Sequence, residues 1–254
     1  MGTKRALLIG INYKNTENVL NGCINDIENM RDVLTEEYGY TSNNIVIMTD
    51  NTTMKPTRTN IIKELLNLIL SENTTLYFHY SGHGSQLKDI NGDEYDKLDE
   101  CLVPIDYKIN GMILDDELKG LLQCLNSNKQ LTMVLDCCHS GSGIDLSYNL
   151  YSRAEKNALL PDPSVRGNVT RGKVLVISGC KDTQTSADAF IAGEYQGALT
   201  YCFIASIKSI KKQVRTISAI YKSLYATLID NHYTQIPCIS AGNNLTKLDD
   251  LLIL

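Results

Sequence analysis

Apolar residues in this chain fall into short unbroken runs, separated by stretches where they recur every three or four positions. Five runs, Arg5–Ile11, Asn44–Thr49, Thr74–Tyr80, Gln130–Leu135 and Lys173–Gly179, are continuous rather than alternating, as strands buried on both faces are. A sixth, weaker run is Gln235–Ser240. Helix-period patterning covers Gly22–Tyr38, Thr57–Leu70, Asp115–Leu125, Gly197–Lys211 and Arg215–His232. Strand and helix alternate, which predicts an α/β domain with a mainly parallel sheet covered by helices. No internal repeat or low-complexity tract interrupts the pattern.

Two segments break the alternation. Ser85–Gly111 is polar and acidic, and Gly141–Gly172 is long and carries two prolines. Both are read as loops, and loops of this length inside a domain are usually functional or mobile. Each follows a predicted strand, and open α/β sheets build their sites beyond the carboxyl ends of strands.

Composition narrows the function. With 254 residues, 43% hydrophobic and 21% charged, the chain suits one sizeable α/β core or two small domains of a soluble protein. A net charge of −5, pI near 5.4 and no long Lys or Arg block argue against a phosphate-backbone binder, so no nucleic-acid partner is expected. The apolar run after Lys4-Arg5 stops at Asn12 without a small-residue cleavage site, so a first strand explains it better than a signal peptide. No segment approaches the roughly 18 apolar residues that span a bilayer, so no membrane association is expected. The eight cysteines are scattered, several within apolar runs, which favours free thiols in a reducing compartment. Sequons beginning at Asn51, Asn73, Asn168 and Asn244 carry little weight without a secretion signal, and the expectation is a cytoplasmic monomer.

The chemistry lies at two predicted strand ends. Thr74–Tyr80 runs into Ser81-Gly82-His83-Gly84, where glycines on both sides of the histidine permit a tight turn. Gln130–Leu135 runs into Asp136-Cys137-Cys138-His139-Ser140-Gly141. In a parallel sheet both ends face one edge, so His83 can meet Cys138. A thiol becomes a good nucleophile when a neighbouring imidazole takes its proton. The backbone N–H groups of Cys138 and Gly84 are candidates to hold the oxyanion of an acyl intermediate. A zinc site made of Cys137, Cys138 and His139 fails, because adjacent residues on one tight turn do not supply three corners of a tetrahedron.

His79-Tyr-Ser-Gly-His83-Gly and Asp136-Cys-Cys-His-Ser-Gly141 resemble the two catalytic motifs of metacaspases, caspase-like proteases of clan CD. Ile177–Asp188 and Gly22-Cys-Ile-Asn-Asp26 resemble two further blocks, so the likeness extends over nearly the whole chain. It implies a caspase–haemoglobinase fold with a central six-stranded, mostly parallel sheet. It also implies a nucleophile immediately before His-Ser-Gly, hence Cys138 rather than Cys137, with His83 as its base. The implied activity is endopeptidase cleavage of protein or peptide substrates after Arg or Lys. The matching pocket positions are Asp26, Ser81, Asp136 and Asp188, whose carboxylates suit a guanidinium or ammonium group.

Calcium activation is implied through Asp99, Asp115, Asp116 and Asp145. The run Asp89–Glu100 superficially fits an EF-hand loop but has Glu94 where the sixth-position glycine belongs, so that reading is rejected. The single domain is expected to divide into a large-subunit-like part over about residues 1–150, a connecting loop over about 141–172 and a small-subunit-like part over about 173–254. No prodomain or long linker is recognisable, so the chain looks like a minimal type I core. The loop offers Arg153, Lys156, Arg166 and Arg171 as self-cleavage positions. The competing reading is a catalytically silent caspase-like interaction module. It would be marked by loss of either dyad residue, and both are present.

Overall fold

The computed structural model describes residues 3–88, 98–138, 144, 146–150, 159–161, 169–179, 188–191 and 193–254. Its strands are β1 Lys4–Gly10, β2 Ile45–Thr49, β3 Thr75–Ser81, β4 Gly84–Lys88, β5 Leu98–Leu102, β6 Ile113–Leu114, β7 Gln130–Asp136, β8 Tyr148–Asn149, β9 Leu160–Pro161, β10 Lys173–Ser178, β11 Asp188–Ile191, β12 Glu194–Gly197 and β13 Cys238–Ala241. Its helices are α1 Cys23–Tyr38, α2 Arg58–Leu70, α3 Tyr107–Asn110, α4 Asp115–Leu122, α5 Ala198–Ser209 and α6 Ile217–Asp230.

The main sheet runs β2-β1-β3-β7-β10-β13-β8-β9. The first five strands are parallel, and β13 joins β10 antiparallel. These six strands form the six-stranded core expected for the fold. β8 and β9, two residues each, extend it at the β13 edge.

The continuous apolar runs are explained by two cores, one on each face of the sheet. Leu7 and Ile9 of β1 and Leu131, Met133 and Leu135 of β7 pack with α2 and α4. Their alternating neighbours, Ala6, Leu8 and Val134, pack with α1, α5 and α6. Period-two alternation therefore buries both sides of each strand. His79, Ser81 and Asp136 fall on the α1/α5 side, in phase with Tyr77 and Val134.

Two helix starts move inward for one reason. Thr57 and Thr216 are N-caps, their hydroxyls accepting the N–H of Asn60 and Ala219, so α2 and α6 begin just after them. The larger departure is Ser85–Gly111, read as irregular. Its described part holds β4 and β5, which form a three-stranded sheet with β6, followed by α3. The strands escape an apolar-run reading because Gly84–Lys88 is only partly buried and Asp99 and Glu100 are charged yet buried. No helix among the described residues is long and apolar enough to cross a membrane.

Candidate active site

Parallel pairing of β3 with β7 ends at Ser81 opposite Asp136. The ladder continues one step further, Gly82 N–H donating to the Asp136 carbonyl at 3.2 Å. His83 and Cys138 each lie two residues past a paired position, so they leave adjacent strands at one edge. Beyond them the chains touch. A methyl group on Gly84 would fall 2.0 Å from the Cys138 carbonyl oxygen, closer than any side chain tolerates, and 3.2 Å from Cys137 Sγ. Only glycine lets the turn after the histidine approach the turn carrying the thiols. Cys137 is buried in the α2/α4 core, whereas Cys138 is half-exposed.

The imidazole of His83 is held from two sides. Its Nε2 lies 2.7 Å from the Asn18 carbonyl oxygen. A carbonyl only accepts, so Nε2 carries the hydrogen and Nδ1 keeps the lone pair. The Tyr13 ring packs beside it with centroids 4.6 Å apart. The backbone is pinned as well. His83 N–H donates to Tyr13 Oη at 3.0 Å, and the His83 carbonyl accepts from Tyr80 Oη at 2.8 Å and Val103 N–H at 3.2 Å. Tyr13 in turn donates to the Val103 carbonyl at 2.6 Å. Burial pushes both tyrosine hydroxyls well above their ordinary pKa, so they stay protonated donors. Tyr13 also has φ of 49°, a left-handed conformation that costs a non-glycine residue about 1–3 kcal/mol. Sequence reasoning missed Tyr13, Asn18 and Tyr80. Tyr80 sits inside the histidine motif, but nothing local marks Tyr13 or Asn18.

On the α1/α5 side, Asp26 and Asp136 are buried next to each other. Asp26 accepts Ser81 O–H at 2.6 Å and Gly197 N–H at 2.8 Å. Asp136 Oδ2 accepts both the N–H and the O–H of Thr200 at 2.8 Å, so its carboxylate sits at the N-terminus of α5. Gly197 lies between the acids, and a methyl there would meet Asp136 Oδ2 at 2.3 Å and Asp26 Oδ2 at 2.7 Å. Three of the four expected pocket residues thus come together. The backbone of the fourth, Asp188, pairs with Gly197, while its side chain lies outside the described structure.

Three of the four acidic positions expected to bind calcium lie on or beside the small sheet. Asp99 is on β5 and buried, Asp115 opens α4 and is buried, and Asp116 follows it half-exposed. Leu114 pairs with Cys101, so α4 starts beside Asp99 and Glu100. Burial pushes the Cys101 thiol up to about 12, and the negative charges of Asp115, Glu100 and Asp99 push the same way. Asp115 is not the cap of α4. That position is Leu114, whose N–H donates to Glu117 at 3.2 Å. Carboxylate oxygens are the donors calcium takes, and buried acids in this proximity suit a divalent cation by chemistry. Asp145 lies outside the described residues, and among those described no group of three or more His, Cys, Asp or Glu is arranged around a metal position.

Arg153, Lys156 and Arg166 also lie outside the described residues. Arg171 is exposed, but the chain around it is tied down. Val169 N–H donates to the Gly242 carbonyl at 3.1 Å, and the Gly172 carbonyl accepts from Asn243 Nδ2 at 2.6 Å.

Residues 4–147 match the family model for the metacaspase peptidase C14 domain. The chain is 35% identical to metacaspase-1B of Aspergillus fumigatus, with 96% of this chain and 71% of the relative covered. It is 33% identical to metacaspase-1 of Pyricularia oryzae, with 96% and 73% covered. Among solved structures, a protein from Geobacter sulfurreducens shares the fold with a TM-score of 0.70 at 22% identity, covering 99% of this chain and 98% of that one. A buried parallel sheet that brings a glycine-flanked histidine and a half-exposed cysteine to one edge, in a chain with these relatives, belongs to the metacaspases, caspase-like cysteine peptidases of the C14 family.

Proposed function

We propose that the chain is a calcium-activated endopeptidase that cuts after Arg or Lys, with Cys138 as nucleophile and His83 as general base. The observation that carries this reading is the shared register of β3 and β7, with Gly84 packed on the Cys138 carbonyl. His83 Nδ1 takes the proton of the Cys138 thiol, and the thiolate attacks the scissile carbonyl. The N–H groups of Cys138 and Gly84 donate to the resulting oxyanion. The imidazolium then returns its proton to the leaving amine, giving a thioester. A water that loses its proton to His83 hydrolyses the thioester and frees the thiol. The Asn18 carbonyl keeps the imidazole in the tautomer this sequence needs.

A basic substrate side chain enters beside Asp136 and Asp26, with Ser81 and Asp188 completing the pocket. Asp99, Asp115, Asp116 and Asp145 would hold calcium, which would offset the repulsion among those acids. Self-cleavage is proposed at Arg153, Lys156, Arg166 or Arg171, slowest at Arg171, whose flanks are hydrogen-bonded. The test is hydrolysis of Arg-, Lys- and Asp-ended fluorogenic peptides with and without calcium, by wild type and Cys138→Ala. The expected result is calcium-dependent cleavage of the basic peptides only, abolished by the substitution. Faster cleavage of the Asp-ended peptide would refute the specificity.

A further inference from the structure

Beneath Asp136 runs a line of buried polar side chains that the chemistry above leaves unused. Tyr77, His79, Thr200 and Asp136 are all buried at the β3/β7/α5 junction. Tyr77 Oη lies 2.9 Å from His79 Nδ1, His79 Nε2 lies 3.0 Å from Thr200 Oγ1, and Thr200 Oγ1 lies 2.8 Å from Asp136 Oδ2.

The proton positions follow from one end. Asp136 accepts, so Thr200 spends its single hydroxyl hydrogen there and must accept from His79. Nε2 therefore carries the imidazole hydrogen, and Nδ1 accepts from Tyr77. Burial lowers the His79 pKa to about 3, which keeps the ring neutral and this order intact at ordinary pH. Every link is satisfied in one direction only.

We propose that His79 and Thr200 are positioning residues for specificity: the Tyr77–His79–Thr200 chain fixes the plane of the Asp136 carboxylate that receives the substrate's basic side chain. The inference rests on the basic-pocket reading above. Two donors from Thr200 converge on Oδ2, so the carboxylate is held against rotation. Without the hydroxyl, one of those two donors is lost. A guanidinium needs carboxylate planes aligned for a paired hydrogen bond, whereas an ammonium behaves as a point charge. Loss of the chain therefore harms recognition of Arg more than of Lys, a difference that a purely structural role would not produce.

The test uses the full chain with matched Arg- and Lys-ended peptides, in wild type, Thr200→Val and Thr200→Ser. In Thr200→Val the KM for the Arg peptide should rise about tenfold, more than kcat falls, and the Arg-to-Lys ratio of kcat/KM should drop about fivefold or more. Thr200→Ser, which keeps the hydroxyl, should restore the ratio. An unchanged ratio, or equal losses on both peptides, overturns the positioning role. Should Thr200→Val fail to fold, Tyr77→Phe removes only the outermost hydroxyl and is read on the same ratio. A drop of about twofold supports the chain there, and no drop overturns it. Wild type that shows no preference for basic peptides overturns the pocket reading and this inference with it. Wild type that prefers Arg, beside variants that do so equally, overturns this inference alone.

Discussion

The carbonyl oxygen of Asn18 and Nε2 of His83 lie 2.7 Å apart, and this contact decides which imidazole nitrogen can act as a base. Because the contact uses backbone, no side-chain change at Asn18 removes it directly. The support that mutation can reach is Tyr13. Tyr13→Phe keeps the ring beside His83 but deletes the hydroxyl that receives its N–H and binds the Val103 carbonyl. Leaving the His83 N–H unmet costs about 1–3 kcal/mol. Steady-state kinetics on an Arg-ended peptide should show kcat lower by about tenfold with KM little changed. A kcat equal to wild type would show that the hydroxyl does not hold the base.

The two adjacent cysteines should separate cleanly. Cys138→Ala is expected to abolish turnover with an unchanged melting temperature, since the residue is half-exposed at a strand end. Cys137→Ala should keep most activity and lose on the order of 1 kcal/mol of stability, because its thiol is packed in the core. Kinetics and thermal melts on both variants decide the matter, and the reverse pattern would mean that Cys137 is the nucleophile.

Calcium should be visible without any turnover. An ion that binds only the folded state stabilises it by about 2.7 kcal/mol at a hundredfold excess over Kd. Calorimetry of Cys138→Ala should show a calcium-induced rise in melting temperature that EGTA reverses. Adding Asp115→Asn should shrink that rise sharply, since Asp115 is buried beside Asp99 and Glu100. The same rise in both proteins would remove Asp115 from the site.

Self-cleavage predicts a specific set of new termini. Mass spectrometry of calcium-treated wild type should find cuts after Arg153, Lys156 or Arg166, with Arg171 cut late, and Cys138→Ala should stay whole. Proteases need an exposed and deformable chain, which the hydrogen-bonded stretch at 169–172 does not offer. Termini confined to other regions, or none, would count against autoprocessing here.

His79 should impose a pH dependence on stability. Its folded pKa is lowered to about 3 by burial, so between about 6.5 and 3 the unfolded chain binds a proton that the folded chain refuses. Stability contributed this way is present above pH 6.5 and is lost as pH falls through that window, at about 1.4 kcal/mol per pH unit from this one group. Urea melts of wild type and His79→Gln between pH 7 and 4 should differ in slope by about one proton. Parallel slopes would mean that His79 is protonated in the folded chain.

Much of this arrangement is legible in the sequence because its strands are buried on both faces. Unbroken runs such as Thr75–Ser81 leave no other reading. β4 and β5 are hidden for the opposite reason. Their residues are polar, and their pairing places buried acids that no apolar pattern foreshadows. At the site, glycines beside His83 and the doubled cysteine are local signals. The contacts that complete it are not local: Asn18 reaches His83 across 65 positions, Thr200 reaches Asp136 across 64, and Gly197 reaches Asp26 across 171. Such pairs are set by how the sheet and its helices stack, which spacing does not encode.

The seven consecutive pairs that join β3 to β7 have a further consequence. The strand ends that carry His83 and Cys138 belong to the middle of the sheet, where backbone hydrogen bonds open only when the domain opens as a whole. The thiol and imidazole therefore do not drift apart by local fraying. Slowest amide exchange is expected along β3 and β7, close to the reacting atoms. An inhibitory state built on parting these two strands would cost nearly the whole folding free energy. Control of such an enzyme falls instead to whatever admits, orients or excludes the peptide beside them.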